Sequence, residues 1–161
     1  MNPEKIFSIS SEQDFNEVAL EIFRFQYANN SVYRKFSDLL KKDPKQINKI
    51  DNIPFLPIDL FKSHTILSSE ENIQKTFTSS GTTGSKTSKH HVTDLSIYEQ
   101  SFNLGFEKFY GDIEDYVVLA LLPSYLERDG SSLIYMAHPF FYNHLTLPKI
   151  CHCVHLMYCG F

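Results

Sequence analysis

The first 150 residues of this 161-residue chain contain no cysteine; all three, Cys151, Cys153 and Cys159, lie in the last eleven positions. An odd count so placed speaks against a disulfide framework. Basic excess is also lacking. With a net charge of −4 and no basic stripe interleaved with aromatics, no nucleic-acid partner is expected. No apolar run approaches the ~20 residues that span a bilayer, so no membrane span is expected. The opening Met1-Asn2-Pro3-Glu4-Lys5 lacks the charged-then-apolar order of a signal peptide, which makes a cytoplasmic location the expectation. Internal repeats and low-complexity linkers are absent too. What is present is ordinary for a globular domain with its own core: 42% apolar and 21% charged residues.

Ser11-Glu12-Gln13-Asp14 has the form of a capping box, and Phe15, Val18, Ala19, Ile22 and Phe23 recur at helical spacing behind it. The pattern predicts an amphipathic helix over 12–28. Asn29-Asn30-Ser31 breaks it, and a second helix with Val32, Phe36, Leu39 and Leu40 on one side is expected to stop at Pro44. Ile53-Pro54-Phe55-Leu56-Pro57-Ile58 reads as an apolar, non-helical connector, since each proline fixes its own φ and extends the residue before it. Short strands are expected at His64–Leu67 and Lys75–Thr78, with a return strand over Lys89–Thr93. Thr93 or Asp94 caps a predicted helix at 94–110 burying Leu95, Tyr98, Phe102, Phe106 and Phe109. The uninterrupted apolar run Tyr116–Leu122 predicts a strand buried on both faces, and Ser131 or Ser132 caps a further helix. Strands alternating with helices give an α/β class: a helical front end over 1–50, a mixed sheet with flanking helices over 51–136, and an atypical tail over 137–161.

The chemistry concentrates in one loop. Ser79-Ser80-Gly81-Thr82-Thr83-Gly84 follows the Lys75–Thr78 strand directly, with Lys86 and Lys89 close behind. Small residues let backbone amides approach an anion, hydroxyls add donors, and the lysines supply charge. That is the chemistry of gripping a triphosphate. Flexible surface loops share this composition; the order of the residues and their place after a strand set this one apart. It is neither a Walker A loop, which needs four residues between its glycines where two separate Gly81 from Gly84, nor a Gly-x-Gly-x-x-Gly dinucleotide loop.

The segment resembles the loop of the adenylate-forming superfamily, usually Thr-Ser-Gly-Thr-Thr-Gly followed by a proline and a lysine. Here Lys86 stands in the proline's place and Thr87 in the lysine's, so Lys86 and Lys89 both stay candidates for the phosphate contact. Within the superfamily the chain is most similar to the LuxE-like acyl-protein synthetases, the luciferin-component fatty-acid ligases, which are related to phenylacetate–coenzyme A ligases. Ile53–Ile58 with Phe61-Lys62, the glycine loop with Lys89-His90, and Leu121–Arg128 with Ser131–Met136 carry the likeness, which spans about 50–136 and weakens toward the N-terminus. The resemblance implies the N-terminal part of an adenylate-forming fold. It also implies ATP and Mg²⁺ as cofactors, a long-chain fatty or other carboxylic acid as substrate, and a thiol of a protein or of coenzyme A as acyl acceptor. Nucleotide contacts carry over to Ser79, Ser80, Gly81, Thr82, Thr83, Gly84, Lys86 and Lys89. No catalytic residue and no metal ligand carries over.

The tail departs from that pattern. From Ala137 to Phe161 Lys149 is the sole charged residue in 25 positions, where the chain average predicts about five. Four of the seven histidines lie there, and no carboxylate follows Asp129. The sequence-level expectation is a truncated or frame-shifted gene product, an incomplete and inactive version of the ligase. The alternatives are a non-catalytic remnant and an interaction module whose Cys151, His152, Cys153, His155 and Cys159 hold zinc, although the one-residue gap between the first two cysteines departs from usual zinc spacings.

Overall fold

Helix α1 (Glu4–Phe7) is a single turn. It leads to a reciprocal cap in which Ser11 Oγ accepts the Asp14 amide at 3.1 Å and Asp14 Oδ2 accepts the Ser11 amide at 3.0 Å. Helix α2 (Glu12–Asn29) grows from that cap, one residue longer than the periodicity predicts. The coordinates come from a computed structural model, which describes residues 2–69, 71–79, 86–116 and 130–142. Contacts divide the chain into two compact units, Met1–Tyr98 and Glu99–Phe161.

In the first unit a single asparagine joins two helices. The Asn30 amide donates to Gln26 O, ending α2, while Asn30 Oδ1 accepts the Val32 and Tyr33 amides at 3.1 and 3.0 Å to start α3 (Ser31–Leu39). Asn30 is buried at 4% exposure, with all of these groups paired. The stop at the far end differs from the expected one. The chain leaves the helix at Lys41, whose φ of 56° is left-handed, and the Lys42 amide closes onto Ser37 O at 3.0 Å, before Pro44 is reached. Phe23, Tyr33 and Ile47 form the core, with Leu20, Phe36, Ile53 and Leu56 packed around them. The Phe23 and Tyr33 rings meet edge to face at 6.1 Å and 88°. Tyr33 also ties the helices to the proline segment, its hydroxyl donating to Pro54 O at 2.7 Å.

Pro54 is buried, but Phe55 and Ile58 are 75% and 78% exposed, so the connector packs through one side only. Ile58–Lys62 is a 3-10 turn. The strand expected at His64–Leu67 does not form: the His64 amide turns back to Leu60 O at 2.8 Å, and no described strand lies alongside to extend the ladder. Strands β1 (Lys75–Thr78) and β2 (Lys89–Val92) pair antiparallel, Lys75 opposite Val92 and Thr78 opposite Lys89. Phe77 and Val92 point inward, as the period of two requires, and the Phe77 ring lies 4.9 Å from Tyr98. Helix α4 (Leu95–Tyr110) follows. Asp94 precedes it and accepts the Ser96 amide and hydroxyl, which together lower the carboxyl pKa.

The second unit holds the rest of α4 and helix α5 (Ser132–Tyr142). Phe106 packs on Tyr110 and Tyr116, and Tyr135 donates to Glu99 Oε1 at 2.5 Å. Ser131 Oγ accepts the Ile134 amide at 3.4 Å, a weak cap for α5. The predicted burial of Phe109 is wrong. It is 79% exposed, and no described α4 residue is fully buried, because helical spacing marks a face without showing what covers it. Tyr116 is 40% exposed and outside any strand; 117–122, and the tail from 143 with its cysteines, lie outside the described residues. Helices plus an antiparallel strand pair are compatible with the α/β class, but the described residues hold two paired strands in place of a mixed sheet. No helix among them is long and apolar enough to cross a membrane.

Candidate nucleotide loop and an adjoining apolar cleft

Pairing of β1 with β2 continues one step past the Thr78–Lys89 pair. The Ser79 amide donates to Ser88 O at 3.1 Å, and the Ser88 amide donates to Ser79 Oγ at 3.0 Å. These bonds close the neck of the connection running from Ser80 to Thr87. Ser79 thus has its hydroxyl oxygen engaged at the neck. Ser80, Gly81, Thr82, Thr83 and Gly84 lie outside the described residues. Lys86 and Lys89, on the returning arm, are both exposed, and neither makes a salt bridge among the described residues. The described geometry therefore holds the two ends of the predicted loop together and leaves two ammonium groups beside them.

Beyond Lys89 the strand carries two histidines. His90 lies opposite Phe77, and its ring stacks on Phe61 at 6.1 Å and 13°. His91 lies opposite Thr76, with Nδ1 and Thr76 Oγ1 2.9 Å apart. Desolvation against neighbouring atoms, although His90 keeps an exposed edge, lowers its pKa below the ordinary imidazole value, and repulsion from His91 adds to the shift. Both residues border a cleft of about 750 Å³ lined chiefly by apolar side chains, among them Ala19, Ile22, Phe25 and Phe55, although their rings leave β2 on opposite faces. Neither the Ser79–Ser88 neck nor this cleft was expected from sequence. A serine on each arm of a glycine-rich loop was a usable signal for the first. The second draws on residues far apart in the chain, so no local pattern announces it.

Among the described residues no group of three or more His, Cys, Asp or Glu is placed to hold a metal. The exposed lysines beside the neck carry positive charge, and the cleft offers a largely apolar lining.

The described residues thus present a body of capped helices and a pair of antiparallel strands whose Ser/Thr-Gly connection is closed at its neck. Comparison then supplies the family. Residues 4–105 match the family described as "Acyl-protein synthetase, LuxE", which covers well over half of the chain, and the chain belongs to that family. It is 41% identical over 71 residues to a long-chain-fatty-acid–luciferin-component ligase of Photorhabdus luminescens, across 44% of this chain and 60% of that protein. It is 34% identical over 65 residues to the protein of the same name from Vibrio harveyi, across 40% of this chain and 17% of that one. The matches thus reach less than two thirds of either relative's length. No solved structure matches the chain significantly.

Proposed function

We propose that this chain contributes to ATP-dependent activation of a long-chain fatty acid as its acyl-adenylate, with later transfer of the acyl group to a thiol of a protein or of coenzyme A. The observation that carries the proposal is the hairpin: Ser79 and Ser88 close the neck of a hydroxyl- and glycine-rich connection, with Lys86 and Lys89 exposed on its return arm. Ser79–Gly84 and one of the two lysines would hold the β- and γ-phosphates. The residues fit such a ligand, because small side chains and hydroxyls leave room for phosphate oxygens and the two lysines balance their charge. Mg²⁺ would take most of its oxygen ligands from those phosphates, as is usual for this ion. Preorganised donors around the departing pyrophosphate are each worth several kcal/mol in reactions of this kind. The names of the relatives point to the acid as a long-chain fatty acid. ATP–pyrophosphate exchange measured with a panel of fatty acids tests the reading. Exchange that depends on added acid supports it; no exchange, together with no ATP binding by calorimetry, rejects it.

A further inference from the structure

The hairpin turns an open strand edge toward the cleft. The Ser79 amide donates to Ser88 O, so these two residues are a hydrogen-bonded pair. The alternation of an antiparallel ladder makes Phe77–His90 and Lys75–Val92 pairs of the same kind. The backbone N–H and C=O groups of Lys89 and His91 therefore point away from β1. The sheet of the described residues has two strands, so no described strand takes up that edge. An edge of this sort is a template for another chain. The cleft runs beside it: His90, His91, Thr93 and Asp94 line the cleft, whereas no residue of Lys75–Thr78 does. Ile22 and Phe25 of α2, with Phe55 and Phe61, supply the apolar wall. Such a wall favours a single added strand over a second folded copy, whose own hairpin would have to fit behind it. Charge also differs between the two ends of the edge. Lys86 and Lys89 are exposed at the neck end, while Glu71 and Asp94, which border the cleft, lie beyond the Lys75–Val92 end.

We propose that the free edge of β2 binds an extended peptide running antiparallel to it, with apolar side chains at alternate positions entering the cleft. A basic residue on the peptide's N-terminal side meets Glu71 and Asp94, and an acidic one on its C-terminal side meets Lys86 and Lys89. Main-chain bonds to Lys89 and His91 supply affinity, and the cleft selects the alternate side chains. Binding of this kind needs no nucleotide. Fluorescence anisotropy of the 161-residue chain is measured with fluorescein-labelled, end-blocked Arg-Thr-Ile-Thr-Ile-Thr-Glu. This peptide is expected to bind saturably, and about fivefold more tightly than the charge-reversed Glu-Thr-Ile-Thr-Ile-Thr-Arg. His91→Pro removes an N–H that faces the free edge and leaves the ladder to β1 intact, so it is expected to weaken binding about tenfold. Phe55→Ala, at a position 75% exposed, is expected to weaken it about threefold and decides the matter if His91→Pro does not fold. Absence of saturable binding overturns the proposal. So does equal affinity for the charge-reversed peptide, or unchanged affinity in Phe55→Ala and in a folded His91→Pro. Sedimentation of the chain alone that shows a dimer, lost in His91→Pro, assigns the edge to a second copy and likewise overturns the peptide.

Discussion

Lys41 has φ 56° at the end of α3, a conformation that crowds its Cβ against the following carbonyl. The turn closes all the same, because the Lys41 and Lys42 amides satisfy carbonyls of the last helical turn. Lys41→Gly removes the steric cost and raises the entropy of the unfolded chain, so a net gain of roughly 0.5–1 kcal/mol is expected. Urea denaturation reads it as a higher midpoint at unchanged slope. Phe23 presents the opposite case. It is 2% exposed and meets Tyr33 edge-on, so Phe23→Ala leaves a void in a small core and should cost about 3–5 kcal/mol by the same measurement. Asp14 acts through charge. Hydrogen bonds from Ser11 and Ser10 lower its pKa in the folded chain below the ordinary 3.8. Its contribution is thus complete above that ordinary value and disappears as pH falls through the lowered one. Acidification should shift the urea midpoint less in Asp14→Asn than in the parent; an equal shift in both would remove the cap from the account of acid sensitivity.

At the scale of elements, the proposed phosphate loop depends on a hairpin that holds its ends together. Valine at position 81 or 84 disfavours left-handed backbone and crowds the phosphates, so Gly81→Val and Gly84→Val should each lower ATP affinity about tenfold or more, ~1.4 kcal/mol. Calorimetry showing the parent affinity in both variants would refute the loop assignment. Elements that carry their own signals were legible in the sequence. The α2 cap is written in four consecutive residues, and β1 and β2 lie on either side of a loop whose composition marks it. His64–Leu67 was misread because apolar content alone does not make a strand; a ladder partner does. The length of α3 was misread because Pro44 looked like the stop, while the chain had already turned at Lys41. For the site, the order of hydroxyls and glycines is what proposes the loop, and the described residues add only its closed neck and the exposed lysines beside it. The neck bond, the Phe61–His90 stack and the cleft depend on residues brought together from separate elements, which local periodicity does not encode.

At the scale of the molecule, the described core, the hairpin and the cleft all belong to the unit Met1–Tyr98. Ligands of the loop and of the cleft therefore act on the same folding transition. Any ligand that binds the folded unit and not the unfolded chain stabilises it by RT ln(1 + [L]/Kd), about 2.7 kcal/mol at a hundredfold excess over Kd. Two ligands at separate sites should add, unless one alters the affinity of the other. ATP and tetradecanoate, as substrates of the proposed reaction, are each expected to raise the thermal midpoint, and together to give approximately the sum of their separate shifts. Gly84→Val should lose the ATP shift while keeping that of the acid. A combined shift well above the sum would mean that the acid and the nucleotide favour each other's binding, the coupling that a reaction between carboxylate and nucleotide calls for. A combined shift no larger than the greater single one would mean that the two ligands compete for one site, and the proposed reaction between them would fall with it.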